Sequence, residues 1–177
     1  MRRNTAIVYY SLSGNTQKCV ETLAAILNAD IFKLETVTSY PKGYGKLLAV
    51  TREESKMKTK RELKTPLPDL SAYDRVLIGT PNWWGALSSP IRTFMDEADL
   101  KDKEVALFCT HGGCGVKEVE KEFLSLLPES LVPLSAFAIF DDGEGKLLKR
   151  GKEWIQRNNL EEKECQTNSS YISQQAE

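Results

Sequence analysis

Residues 9–16 read YYSLSGNT: an apolar run stops, and three hydroxyls, a glycine and an asparagine follow at once. The run itself, Ala6-Ile7-Val8-Tyr9-Tyr10, has the β-branched and aromatic content of a buried strand. Beyond the polar segment, Thr16, Val20, Leu23, Ala24 and Leu27 recur at helical spacing. The segment is therefore a strand-to-helix turn whose backbone N–H groups lie at a helix N-terminus, a place where an anion binds.

The same alternation continues along the chain. Asp30 to Glu35 alternates apolar and polar residues as a half-exposed strand does, and Arg75-Val76-Leu77-Ile78-Gly79 reads as a buried strand. Pro90 opens a helix that runs to Asp96, and Glu104 to Cys109 is a further strand. Val116, Val119, Phe123 and Leu126 mark a helix that Pro128 ends. Pro133 to Phe140 reads as the fifth strand, and Leu147, Leu148, Gly151, Trp154 and Ile155 as a last amphipathic helix. Strands interleaved with helices predict an α/β domain, a doubly wound parallel sheet covered on both faces. In such a sheet ligands bind beyond the carboxyl ends of the strands. The domain is expected over residues 1–158, with the polar residues 159–177 as a disordered tail.

Composition narrows the classes. The chain has 177 residues, 41% of them hydrophobic, which suits one globular domain. MRRNT leads into only a short apolar strand, so no signal peptide is expected, and no apolar stretch approaches the roughly 20 residues of a membrane span. Cys19, Cys109, Cys114 and Cys165 lack CxxC spacing and suggest neither a disulfide framework nor a metal site, so a cytoplasmic protein is expected. A net charge of −1 offers no global attraction for nucleic acid.

Three loops at strand ends collect the unusual residues. Ser11-Leu12-Ser13-Gly14-Asn15-Thr16 can hold a phosphate on hydroxyls and bare amides, with Gly14 allowing positive φ; GxxxxGK[ST] and GxGxxG are both absent. Helix capping by Ser13 or Asn15 is the alternative use of the same residues. Thr80 to Leu87 carries Trp83 and Trp84 side by side; one presents its face to something flat, or one covers the sheet edge while the other is simply exposed. Thr110-His111-Gly112-Gly113-Cys114-Gly115 holds the only histidine and three glycines that let backbone approach a ligand. Together they suit a planar heterocycle bearing one phosphate, for which FMN is the natural candidate.

On YYSLSGNT, IGTPNWWGALSSPIRTFMDE and FCTHGGCG, the chain resembles the flavodoxin-like family over roughly residues 5–158. The resemblance implies strand order 2-1-3-4-5 with FMN at the switch point. It implies that Ser11, Ser13, Gly14, Asn15 and Thr16 cradle the FMN phosphate. Pro81, Asn82, Trp83, Trp84 and Gly85 would close over the isoalloxazine, and Thr110, His111, Gly112, Gly113 and Gly115 would line its other edge. Trp84 is the favoured stacking residue because Gly85 follows it, with Trp83 the other candidate. The Gly85 peptide would turn its carbonyl toward the ring when the flavin is half reduced.

The implied function is electron transfer through non-covalent FMN, with the flavin as redox centre and no catalytic side chain. The alternative is an FMN-dependent NAD(P)H:quinone oxidoreductase, which the TPNWWG loop and the HGG segment also resemble. The implied partner is accordingly a redox protein or a small quinone, with NAD(P)H in the second case. Thr80 to Ser89 and Thr110 to Val116 contain no charged residue, which disfavours anionic reduced flavin unless a protonated His111 offsets it. Lys42 to Lys64 holds eight basic residues against three acidic ones and reads as a solvated helix face, or as a contact for an acidic protein or the extra phosphate of NADPH.

Overall fold

Apolar residues on successive strand positions enter two separate cores. Ala6, Val8, Val76, Ile78, Val105 and Leu107 face one side, while Ile7, Tyr9, Leu77, Ala106 and Phe108 face the other. A sheet buried on both faces requires helices on both, and the computed structural model, which describes residues 4–141, 143 and 145–160, has them. In chain order the elements are β1 (Thr5–Tyr9), α1 (Asn15–Leu27), β2 (Asp30–Lys33), α2 (Tyr44–Met57) and β3 (Arg75–Pro81), then α3 (Ser89–Glu97), β4 (Glu104–His111), α4 (Lys117–Leu126), β5 (Phe137–Phe140) and α5 (Leu147–Arg157). The strands pair in parallel in the order β2-β1-β3-β4-β5, the expected doubly wound arrangement.

Helices α1 and α5 cover the Ile7 side through Val20, Leu23, Trp154 and Ile155; α3 and α4 cover the Val8 side through Ile91, Phe94, Val119 and Phe123. All five residues that predicted the register of α1 are buried. Gly79 lies where β1, β3 and β4 meet, and a Cβ there would stand 2.2 Å from Phe108 Cζ. The glycine is what lets the buried phenylalanine ring cross the strand.

Three boundaries differ from the sequence reading. β5 begins at Phe137 rather than Pro133; ahead of it, Leu134 donates its N–H to Val105 O at 2.9 Å. The charged stretch contains α2, and that helix is not merely solvated: Thr51, Glu54 and Ser55 are buried and Leu47 and Val50 pack on the core. Packed chain also extends two residues past Asn158, because Leu160 is buried and its carbonyl accepts from the Arg75 guanidinium at 3.0 Å. Residues 161–177 of the expected tail lie outside the described residues.

Candidate functional site

Strand register decides which loops meet. Tyr9 is level with Gly79, Gly79 with Phe108 and Pro81 with Thr110, so the segments after β1, β3 and β4 emerge side by side at one edge of the sheet. In the first, Gly14 is the N-cap of α1 at φ 96°, a conformation glycine adopts without strain. Ser11 Oγ accepts the N–H groups of Gly14 and Gln17 at 3.2 and 3.3 Å. Ser11 thus satisfies the turn, the task that sequence alone leaves open for Ser13 or Asn15. Ser13 is exposed, and the N–H groups of Asn15 and Thr16 have no acceptor within their own helix.

Side chains brace the loops against one another. Thr16 and Thr110, both buried, place their hydroxyls 2.8 Å apart, and Asn15 Nδ2 donates to Asp141 Oδ1 beyond β5. Asn82 joins the other two loops: its N–H donates to Thr110 O and its Nδ2 to Gly115 O, each at 2.7 Å, while its Oδ1 accepts the Gly85 N–H at 2.8 Å. The structure thus brings the named residues of the three loops to one edge, but it uses the Thr16 hydroxyl and the Asn82 amide internally. Backbone groups and the exposed Ser13 hydroxyl are what remain for a ligand. Where a Cβ would stand at Gly14, Gly112, Gly113 or Gly115 there is nothing within 4 Å, so all four line open space.

The tryptophan pair forms a tight turn. Trp83 and Ala86 exchange backbone hydrogen bonds at 3.1 Å, and both residues between them have positive φ, 59° at Trp84 and 78° at Gly85. Positive φ at a bulky residue costs about 1 kcal/mol and needs support. Helix α2 supplies it. Trp84 Nε1 donates to Thr51 Oγ1 at 3.1 Å, the Arg52 guanidinium lies 5.5 Å from the same indole, and Ser55 Oγ donates to Trp83 O at 2.7 Å. Trp83 meets Tyr40 and Tyr10 edge-on, at ring distances of 5.0 and 5.7 Å, whereas Trp84 is about half exposed (51%). Burial pushes the Tyr10 phenol up to about 12, so it stays neutral.

Beneath Trp83, Glu54 is a buried carboxylate with three partners: Tyr40 at 2.8 Å, Ser89 at 2.7 Å and Arg61 at 2.5 Å. Sequence reasoning missed Tyr40, Thr51, Arg52, Glu54 and Ser55. A signal was present, since Leu47, Val50, Thr51, Glu54 and Ser55 share one helical face, but the surrounding charges masked it.

His111 ends β4, and its Nδ1 accepts the Gly113 N–H at 3.2 Å, which places the proton of the neutral ring on Nε2. Burial and the nearby Arg150 charge lower its pKa below 6.5, so the imidazole is neutral at pH 7. Among the described residues, no three His, Cys, Asp or Glu side chains cluster as a metal site, and no helix is long and apolar enough to cross a membrane.

A flavodoxin family model matches residues 4–135, which span β1 to α4 and all three loops. The chain belongs to the flavodoxin family. Solved structures share the fold of this flavodoxin-family chain. One from Bacteroides eggerthii DSM 20697 is 22% identical, covers 89% of this chain and 98% of its own, and superposes with a TM-score of 0.74. One from Bacteroides uniformis ATCC 8492 is 23% identical, with 88% and 99% coverage and a TM-score of 0.73. A flavoprotein of Lactobacillus acidophilus NCFM, solved in complex with FMN, is 26% identical, with 83% and 99% coverage and a TM-score of 0.66. No curated protein matches the chain.

Proposed function

We propose that this flavodoxin-family protein binds FMN without a covalent bond and transfers electrons through it. The observation that carries the reading is the first turn of α1, where Ser11 takes the Gln17 N–H and those of Asn15 and Thr16 are left without an acceptor in the helix. The Asn15 and Thr16 N–H groups and the Ser13 hydroxyl are left for an anion, with the open glycine backbone of residues 112–115 in the loop after β4. A phosphate suits such donors because the helix dipole and convergent amides favour negative charge without a lysine or arginine. The Trp84 indole, half exposed at the rim, offers the flat wall, and α2 fixes its edge through Thr51. The relative solved with FMN supports the choice of cofactor.

When bound, the isoalloxazine supplies one- or two-electron transfer. The chain's part is to hold, orient and surround it. Asn82 ties the tryptophan turn to the Gly115 loop, so both walls keep one spacing. Neutral His111 and the uncharged loops bring no charge of their own, while Arg52 beside Trp84 and Arg150 near His111 supply positive charge at the two walls.

Uptake of FMN decides the reading. Purified protein mixed with FMN and passed through a desalting column should retain about one yellow flavin per chain, with the flavin emission changed. Colourless protein ends the proposal. If the loaded protein oxidises NADH or NADPH steadily with a quinone, it is the NAD(P)H:quinone oxidoreductase instead of a carrier. If it accepts electrons only from a separate reductase, the carrier stands.

A further inference from the structure

Behind the Trp84–Gly85 turn lies a cleft of about 440 Å3, bounded by Lys58, Lys60, α3 and α4. Its floor is an ion pair that the flavin reading does not use. Arg92 and Glu122 have side chains 3% and 8% exposed, with Arg92 Nε 2.6 Å from Glu122 Oε1. Lys58 Nζ reaches the same oxygen at 3.0 Å, so two cations share one carboxylate. Burial pushes the Glu122 carboxyl up, but the Arg92 hydrogen bond, the Leu87 N–H and Lys58 outweigh it and hold its pKa below the ordinary value. Glu122 is therefore charged at pH 7, and the floor retains one positive charge in excess.

The guanidinium cannot swing away. Its Nη1 donates to the carbonyls of Glu54 and Thr59 at 3.2 and 3.3 Å, whereas Nη2 reaches Glu122 Oε2 only at 3.5 Å. The weakly used nitrogen is the donor left for a ligand. Around the rim, Lys121 has no ion-pair partner among the described residues. Lys60 leans 2.6 Å from Asp96, an exposed pair of the kind worth little. Glu118 is the opposing rim charge, its stem next to Gly85. The lining holds four cations (Lys58, Lys60, Arg92, Lys121) against two carboxylates (Glu118, Glu122), and Asp96 beside Lys60 leaves a surplus of one.

We propose that this cleft is a subsite for a phosphate monoester carried by a small organic substrate, seated on Arg92 and closed by Lys58 and Lys121. Such a group carries about −1.5 to −2 charges at pH 7 and three acceptor oxygens, which suits a net positive lining with several donors. The volume lies in the range of small-molecule sites, and Leu126 provides an apolar wall for the organic part. Gly85 lines the cleft and also belongs to the turn within the second of the three loops, so a molecule anchored here lies next to the proposed redox site. That role as a substrate anchor rests on the FMN reading; occupancy of the cleft does not.

The test uses the full chain saturated with FMN, so that the α1 cradle is filled. Adenosine 2′,5′-bisphosphate and inorganic phosphate are titrated separately, read by calorimetry and by the amide signals of Gly85 and Lys121. Saturable shifts at those amides are expected, weakened about tenfold by Lys121→Gln and again by Lys58→Gln. Tighter binding of the nucleotide assigns an organic monoester. Equal binding of both keeps the phosphate site but makes free phosphate its source. No saturable shift, shifts confined to Asn15 and Thr16, or binding indifferent to both lysines overturns the proposal. Should the protein take up no FMN, the nucleotide titration is run on it unchanged; the lysine dependence then judges the cleft while the flavin reading fails separately.

Discussion

Thr16 and Thr110 are 94 residues apart in sequence, yet their hydroxyls meet inside the protein at 2.8 Å. A buried hydroxyl deprived of its partner costs about 1–3 kcal/mol, whereas removing both ends of the bond with shape kept is nearly neutral. Thr16→Val and Thr110→Val should each lower unfolding stability by about 1–2 kcal/mol in urea, and the double variant should lose less than the sum. Strict additivity would mean that the hydroxyls do not rely on each other. Sequence placed Thr16 in the right loop, but the partner that takes its hydroxyl comes from another strand, and no local pattern carries that pairing. His111 shows the same limit, since its charge state depends on its burial and, secondarily, on Arg150 across the fold. With the folded pKa lowered, the unfolded chain takes up the proton first as pH falls through about 6.5. Native stability therefore decreases over that interval until the folded pKa is also passed. The His111 ring protons should titrate with a midpoint below 6.5 in the NMR spectrum, and Arg150→Gln should move that midpoint upward.

Strands β1, β3 and β4 and helices α1, α4 and α5 were legible because their apolar residues repeat with the period of the element they form, and α3 because Pro90 marks its first turn. Helix α2 was not. Its buried face carries Thr51, Glu54 and Ser55, polar residues that count as solvent-facing until their partners are known. Glu54 is tolerated inside only because Arg61, Tyr40 and Ser89 converge on it. The consequence reaches the site, because the same helix holds the strained Trp84 turn. Packing across β3 sets a second limit on this scale. A methyl at position 79 would stand 2.2 Å from Phe108 Cζ and 2.9 Å from Tyr9 Cβ, distances that the fully buried ring and the strand cannot both yield to. Gly79→Ala should cost about 3 kcal/mol by overpacking. Adding Phe108→Leu, which withdraws the ring, should recover part of that loss in the same denaturant titration. A Gly79→Ala protein as stable as the parent would show that strand spacing here is softer than the packing implies.

Across the whole molecule, the parallel order β2-β1-β3-β4-β5 sends the loops after β1, β3 and β4 to one edge, and a handful of side-chain bonds spans them. Three stretches distant in the chain thereby form one surface, so a ligand that touches all of them stabilises the folded state as a unit. Linkage gives the size: a ligand at a hundred times its Kd adds about 2.7 kcal/mol. For a domain of this length that corresponds to a rise in Tm of about 5–10 °C. FMN and riboflavin share the isoalloxazine and differ in the phosphate, so the pair isolates what the first turn of α1 contributes. FMN should raise Tm by that amount in a calorimetric scan, and riboflavin at the same concentration should raise it far less. Equal shifts from both would place the binding energy on the tryptophan turn and the glycine loop alone. The unpaired Asn15 and Thr16 amides would then be an ordinary helix end facing water, and the cradle would have no part in recognition.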